Sequence, residues 1–438
     1  RRGQMLGQEP EPERLPPEDQ IADVWDAGAR LAGQDQAPQA VEEAWRQVRA
    51  GTRYTLGALT PETVRGLYGE RLQLSASQVD QVASCRFAYF MRYGLRARER
   101  KELTVDPAEF GTFVHYVLEH TARDVCEAGG FSQVSLERTQ ELAMEYAGRY
   151  RREYFAGLGQ RPSRQDYLLD RNLQELQAVV RELWEEMAQS QFQPVGFEVR
   201  FGPGGVMPPV EIPGGAMPAQ LRGFVDRLDL YEREGQTYVR VVDYKTGRKD
   251  FDYCDVLNGL GLQMLLYLFA LEDSGRAYLG VSPEAAGVLY FPARSPVLPV
   301  DGPVESQEAQ LLRQKEARRS GLLLLDEDVL QAMEADGESR FLPVKRSKSG
   351  TLTGDLATGH QLEQLKGYVF RLLARLVDAI GGGQVEPTPY SRGNHNACRY
   401  CAYASACHLD LWGQIRSYRA VSGEEFWEQV EQEGKHHG

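Results

Sequence analysis

Two carboxylates and one lysine are the residues of this sequence best suited to chemistry. Asp226 lies in the run GFVDRLD, and Asp243 and Lys245 follow in the run DYKTG. If the two runs form adjacent strands, the carboxylates converge at one end of the sheet, and Asp243 and Lys245 face the same side because strand side chains alternate. Carboxylate oxygens bind hard cations such as Mg²⁺, and an ammonium group orients water and offsets charge on a phosphate. This chemistry is phosphodiester hydrolysis, although an isolated Asp-x-Lys is more often an ordinary strand end beside a surface charge cluster.

Two helical pairs flank these strands in the chain. Apolar residues repeat at spacings of three and four over residues 107–125, which predicts an amphipathic helix with His115 and Glu119 one turn apart on one face. Gln263 and Tyr267 have the same spacing in an apolar stretch, residues 255–271, that we also predict to be one helix. Each pair alone is more typical of ordinary core or surface positions than of a functional site.

The remaining pattern indicates an α/β chain. A helix should begin at Ser75 or Ser77, both good N-cap residues. We predict a helical insertion over residues 137–154 and 168–187, a hairpin of residues 221–231 and 237–244, a short strand at residues 287–291, and a helix over residues 362–380 that ends at three glycines. There is no internal repeat and no phosphate-binding P-loop in the sequence.

Composition limits the classes of protein that this chain can represent. It has 438 residues, 42% of them hydrophobic, six cysteines and a formal charge of −13, which is typical of a folded protein of two or three domains. No apolar stretch approaches the ~20 residues of a spanning helix and the start lacks a secretory signal, so we expect a cytoplasmic protein without membrane contact. Arg1 in place of Met leads us to expect a piece of a longer chain.

A local basic segment is the candidate DNA contact of this acidic chain. Six positive charges fall within residues 86–101, among them Arg86, Arg92 and Arg96, and aromatic residues are interleaved with them. Arginines can hold phosphates while aromatic rings stack on unpaired bases, which suits a single-stranded path. The alternative is that the aromatic rings belong to the core and the arginines form a solvated helix face.

Four cysteines are candidate metal ligands. Cys398, Cys401 and Cys407 form a dense triplet, and Cys85 is the best candidate for a fourth ligand, whereas Cys126 and Cys254 have no partner in sequence. Four thiolates hold a cubane iron–sulfur cluster, and its ligands can be distant in sequence. Zinc held by the triplet and a histidine is the alternative, since His395 and His408 flank the triplet, and spacing alone favours zinc.

The order of these motifs resembles the nuclease domain of the RecB family within the PD-(D/E)xK restriction-endonuclease-like superfamily. The resemblance implies a mixed central sheet flanked by helices, with helical insertions. It implies that His115, Asp226 and Asp243 bind Mg²⁺, assisted by the Tyr244 carbonyl, and that Lys245 is catalytic. It also implies that Gln263 and Tyr267 steady the site or the DNA backbone, with Glu119 the least defined member.

The cysteine pattern looks like the iron–sulfur staple of the AddB-type member of AddAB-type bacterial helicase-nucleases. This resemblance favours a 4Fe–4S cluster that joins the two ends of the nuclease domain, with Zn²⁺ as the alternative. It implies three parts: residues 1–70 as the tail of an upstream helicase-like domain, residues 71–415 as the nuclease domain, and residues 416–438 as a C-terminal tail.

The same resemblance implies a function. It is Mg²⁺-dependent exonuclease activity on single-stranded DNA ends from unwound duplex, in the 5′ to 3′ direction, during processing of double-strand breaks for homologous recombination. The expected partner is an AddA-type helicase-nuclease subunit that forms a heterodimer with this one. The alternatives are a non-catalytic DNA-binding module of the same kind of complex and a related nuclease with a structural zinc site.

Overall fold

The computed structural model describes residues 57–98, 107–154, 164–212, 217–294, 306–335, 339–347 and 350–437, together with the isolated positions Arg30, Gln39, Glu43 and Arg46. The chain divides at residue 57 into two compact units, and the larger unit extends from Ala58 to Gly438. Most of the upstream segment expected at residues 1–70 lies outside the described residues, so its helicase-like origin stays a prediction.

Within those ranges the larger unit forms fifteen α-helices and thirteen β-strands. In chain order they are α1 (Pro61–Tyr68), β1 (Leu72–Ser75), α2 (Ala76–Ser84), α3 (Arg86–Tyr89), α4 (Pro107–Glu127), α5 (Leu136–Tyr154), α6 (Arg164–Gln189), β2 (Gln193–Phe201), β3 (Val210–Ile212), β4 (Ala219–Arg233), β5 (Gln236–Lys245), α7 (Tyr253–Leu257), α8 (Gln263–Ser274), α9 (Arg276–Leu279), β6 (Glu284–Pro292), α10 (Ser306–Glu316), β7 (Ser320–Leu324), α11 (Glu327–Met333), β8 (Val344–Arg346), β9 (Leu352–Gly354), β10 (Leu356–Ala357), α12 (Gly359–Gly381), β11 (Tyr390–Arg392), β12 (His395–Asn396), α13 (Ala404–Cys407), α14 (Leu409–Trp412), β13 (Arg416–Ser417) and α15 (Gly423–His437).

A mixed eight-stranded sheet forms the centre of this unit. Its main path runs β1-β4-β5-β6-β7-β10, and β2 and β3 also pair with β4. The β4–β5 and β6–β7 pairs are antiparallel, whereas β1–β4, β5–β6 and β7–β10 are parallel. Helices α4 and α8 both pack on this sheet, against β2 and β4 and against β5 and β6 respectively. The predicted fold, a mixed central sheet flanked by helices, is confirmed.

Local sequence signals explain why the elements begin where they do. Helix α2 begins after Ser75, whose hydroxyl accepts from the Gln78 N–H while the Gln78 side chain accepts from the Ser75 N–H. The same reciprocal cap, formed by Thr358 and Gln361, begins α12, which ends in the glycines that the sequence indicates.

One predicted helix is two helices in the structure. The apolar stretch over residues 255–271 forms the end of α7 and most of α8, and the chain turns between them. Gly259 and Gly261 there have φ angles of 86° and 66°, a left-handed conformation that interrupts a right-handed helix. The prediction of one helix was wrong because apolarity was weighed above the two glycines.

Both ends of the larger unit pack on its centre. Helices α1 and α15 contact α12, and β13 pairs with β11 in a small second sheet. No described helix has the length and apolarity that crossing a membrane requires.

Candidate active site

The β4–β5 hairpin brings the two predicted carboxylates to one place. Arg227 pairs with Val242, and one further step of this antiparallel register sets Asp226 across from Asp243. The Tyr244 N–H donates to Asp226 Oδ2 at 2.8 Å, which fixes the first carboxylate against the neighbouring strand. Asp243 Oδ2 lies 2.5 Å from Lys245 Nζ, as expected for side chains two residues apart on one strand.

Helix α4 supplies an imidazole to the same place. His115 Nε2 lies 2.7 Å from the Tyr244 carbonyl oxygen, and Nδ1 lies 3.4 Å from Asp226 Oδ2. Neighbouring ligands of an octahedral Mg²⁺ lie about 3 Å apart, because each is about 2.1 Å from the ion. Asp243 Oδ2 is also buried and lacks an aligned hydrogen-bond donor. The donor set and the unsatisfied buried oxygen therefore fit a hard divalent cation.

Glu198 is a further acidic residue at this site, and the sequence analysis missed it. One ligand atom from each of His115, Glu198 and Asp226 lies within 4.8 Å of the other two. In the sequence of β2, valine and phenylalanine alternate at positions 195, 197, 199 and 201, which predicts that Glu198 faces solvent. Its backbone instead has a φ of 49°, a left-handed conformation that breaks the alternation and turns the carboxylate inward. An unusual backbone conformation of this kind is often found at functional sites.

The site is short of positive charge. Burial, with the charge of Asp243 as the next cause, raises the pKa of Asp226 to about 7, although the Tyr244 N–H and Lys245 oppose the shift. Burial and the nearby charge of Asp226 likewise raise the pKa of Glu198 to about 7. A divalent cation would supply the missing charge and favour the ionised carboxylates.

Gln263 and Tyr267 support the strand that carries Asp226. The Tyr267 phenol hydrogen-bonds the backbone of Phe224 and the side chain of Gln263, and burial raises its pKa to about 12. A Cβ atom at Gly223 would lie 1.7 Å from the Tyr267 hydroxyl, so this approach requires glycine. Because Tyr267 is only 2% exposed, its position is that of a support for β4 rather than of a DNA contact.

Comparison with known proteins agrees with this geometry. The family model described as the PD-(D/E)XK nuclease superfamily matches residues 73–408, about three quarters of the chain. The chain belongs to the PD-(D/E)XK nuclease superfamily. The predicted superfamily is thereby confirmed.

Among similar curated proteins are those named, in three bacteria, as the AddB-type member of an ATP-dependent helicase/deoxyribonuclease. The Symbiobacterium thermophilum protein is 36% identical over 384 residues, covering 84% of this chain and 32% of that protein. The corresponding values are 33% over 386 residues, 86% and 34% for Moorella thermoacetica, and 32% over 413 residues, 90% and 36% for Acetivibrio thermocellus. The chain thus spans about one third of the length of the curated relatives it matches.

A buried ionic network lies behind the nuclease-superfamily site. Arg227 Nε lies 3.0 Å from Asp229 Oδ1, Arg240 Nε lies 2.7 Å from Asp229 Oδ2, and Glu186 of α6 accepts from both arginines. Arg227 also donates to the Tyr244 hydroxyl at 3.3 Å. In sequence Arg227 and Asp229 are equally compatible with a surface charge cluster, but both are fully buried. The network fixes the strand segment whose carbonyl faces His115.

Glu119 and the predicted DNA contacts have partners within the protein. Glu119 Oε1 lies 2.7 Å from Arg123, and Glu119 is outside the group of converging ligand atoms. Arg86 forms an ion pair with Glu386, whereas Arg92 and Arg96 are exposed. Among the interleaved aromatic residues, Tyr89 is buried, as expected of a core residue.

The structure gathers the four cysteines that the sequence analysis grouped. Burial raises the pKa of the Cys398 thiol, and the charges of Cys85, Cys401 and Cys407 raise it further. Cys85 is buried, and its pKa, raised mainly by burial, is also affected by backbone hydrogen bonds from residues 87, 88 and 388 and by Cys401. By contrast, Cys254 Sγ contacts the Tyr390 hydroxyl at 3.6 Å.

Hydrogen bonds also join the two segments that carry these cysteines. Arg416 donates to the carbonyl oxygens of Ala83 and Ser84, and the Tyr403 hydroxyl donates to the Ala97 carbonyl at 2.9 Å. The ends of the family-matched region therefore meet through the polypeptide itself.

Proposed function

We propose that this chain is a divalent-cation-dependent deoxyribonuclease that degrades DNA strands from their ends. The observation that carries the proposal is the convergence of His115, Asp226, Asp243 and the Tyr244 carbonyl beside the Lys245 ammonium. Membership of a nuclease superfamily supports it independently.

Each group has a chemical role in this proposal. His115, Asp226, Asp243 and the Tyr244 carbonyl would hold Mg²⁺, with Glu198 as an additional acidic ligand or hydrogen-bond acceptor for a coordinated water. Bound Mg²⁺ supplies Lewis acidity and lowers the pKa of water. Lys245 orients the attacking water and offsets charge that develops on the phosphate. Gln263 and Tyr267 hold β4 in place, and Arg92 and Arg96 remain proposed DNA contacts together with Arg86.

A 4Fe–4S cluster held by Cys85, Cys398, Cys401 and Cys407 is part of the proposal. A zinc tetrahedron with bonds of about 2.3 Å places its sulfurs about 3.8 Å apart. Among the residues that the structure describes, the only group of three or more Cys, His, Asp or Glu ligand atoms within 4.8 Å of one another is His115, Glu198 and Asp226. The wider spacing of the four thiols supports a cluster whose sulfurs bind separate iron atoms.

The biological setting is proposed from the relatives. They are named as subunits of ATP-dependent helicase/deoxyribonucleases, which supports a partner subunit of AddA type and a DNA substrate unwound by the complex. We propose 5′ to 3′ degradation during processing of double-strand breaks for recombination, in the cytoplasm, with residues 71–415 as the nuclease part.

A nuclease assay on the chain tests the proposal. End-labelled single-stranded DNA should be shortened in Mg²⁺ and not in EDTA, and Lys245→Ala should abolish shortening while Lys435→Ala, on the exposed C-terminal helix, should not. Labelling each end in turn reports the direction. Cleavage that survives Lys245→Ala would contradict the site assignment, and cation-independent binding without cleavage would favour a non-catalytic DNA-binding module.

A further inference from the structure

A cavity lined by cations opens beside Lys245. Its volume is about 380 Å³, and it lies at the carboxyl ends of β5 and β6, facing the end of α10. Two acidic side chains, Asp250 and Glu316, line it against six basic ones: Lys245, Arg248, Lys249, Arg294, Lys315 and Arg318. In a chain of net charge −13, this excess of positive charge is a local exception.

The sheet register places this cavity next to the proposed cation site. Asp243 is paired with Tyr290 and Lys245 with Pro292 across the parallel β5–β6 ladder, and Tyr290 and Pro292 both line the cavity. Neighbouring strands are about 4.8 Å apart. The cavity wall therefore begins one strand away from Asp243, and Lys245 belongs to both places.

The two acids that line the cavity act on one of its arginines. Asp250 and Glu316 raise the pKa of Arg248, and Asp250 lies 3.0 Å from its guanidinium. Lys249 Nζ lies 5.9 Å from the centre of the Tyr290 ring. Within the part of the chain that the structure describes, neither Lys249 nor Lys315 forms an ion pair.

We propose that this cavity binds a phosphate group of the same DNA strand whose scissile phosphate lies at the cation site. The inference rests on the proposed function and adds a place for the substrate. Lysine ammonium groups bind phosphates as point charges, and Lys249 and Lys315 come from different elements, so a phosphate between them would be held from two sides. Such a contact would set how far the strand enters and therefore which bond meets the cation.

Binding measurements test this site without relying on cleavage. In an Asp243→Asn background, which should keep DNA intact, Lys249→Ala/Lys315→Ala is compared with Arg276→Ala/Arg313→Ala. The control removes the same charge, from α9 at the opposite end of β6 and from α10 two residues before Lys315, and neither residue lines the cavity. Affinity for a single-stranded oligonucleotide is measured across a range of salt concentrations.

Loss of one phosphate contact should make the slope of log affinity against log salt shallower by about 0.7, which is about fivefold weaker binding near 0.1 M salt. The control pair should leave slope and affinity unchanged. Oligonucleotides with and without a 5′-phosphate identify the source: loss confined to the phosphorylated form indicates a terminal phosphate, and equal loss indicates an internal one. Equal slopes for the lysine pair and the control pair would overturn the inference, whereas absent Mg²⁺-dependent cleavage by the unmodified chain would contradict the proposed function instead.

Discussion

His115 Nε2 lies 2.7 Å from the Tyr244 carbonyl oxygen, so a side chain of α4 meets the backbone of the strand that carries Asp243 and Lys245. The helix and the hairpin are far apart in sequence, and this contact joins them at the point where two carboxylates converge. In a nuclease-superfamily chain, such a junction of imidazole, carbonyl and carboxylate is the place for a divalent cation.

Removing divalent cations should make the stability of the chain depend on pH in a particular direction. The pKa of Asp226 and of Glu198 is raised from 3.8 and 4.5, respectively, to about 7 in the folded chain. Folding therefore favours the protonated carboxyls, and this stabilisation is complete below about pH 4 and is lost as pH rises through about 7. In EDTA, the melting temperature should fall between pH 5 and pH 8 relative to an Asp226→Asn/Glu198→Gln variant. An unchanged difference over that range would show that these groups do not titrate as described.

Glu198→Gln should weaken cation binding. The carboxylate faces His115 and Asp226, and loss of a supporting acidic group typically lowers metal affinity by about 10- to 100-fold. Calorimetric titration with Mn²⁺ measures the effect, and Glu211→Gln, on the exposed side of neighbouring β3, is the matched control. Equal affinities of the two variants would remove Glu198 from the site.

The sequence was sufficient for the residues whose spacing itself encodes the geometry. Alternation along β5 placed Asp243 and Lys245 on one side, and helical periodicity placed His115 on the face of α4 that meets the sheet. The hairpin followed from two apolar runs separated by a turn. These are local rules, and the structure obeys them at each of these positions.

Other features depended on interactions that no local rule describes. Glu198 points inward only because its backbone is left-handed, against the apolar alternation of β2. Arg227 and Asp229 are buried because Glu186, about 40 residues earlier in the chain, reaches them from α6. Cys85 could be matched with its partners only through the family resemblance, because more than 300 residues separate them.

The ionic network should be critical for stability. Glu186→Ala would leave Arg227, Arg240 and Arg319 without their shared carboxylate in a region closed to water. Breaking a buried pair in this way typically costs about 3–5 kcal/mol in unfolding free energy. Glu211→Ala, which removes an exposed partner of Arg71, should cost about 1 kcal/mol or less. Urea denaturation of the two variants should show this difference, and similar midpoints would contradict it.

Cysteine variants should divide into two classes. Cys401→Ser should lose bound iron and the brown colour of the anaerobically purified chain, whereas Cys254→Ser, whose thiol contacts Tyr390, should keep both. Elemental analysis should find about four iron atoms per chain. A colourless protein with one zinc would establish the alternative metal.

The location of a bound cation tests the central claim most directly. In crystals soaked with Mn²⁺, anomalous scattering should give a peak about 2.2 Å from His115 Nε2, the Asp226 and Asp243 carboxylates and the Tyr244 carbonyl. The peak should be absent from Asp226→Asn/Asp243→Asn crystals. A strong peak elsewhere with none among these four groups would contradict the account.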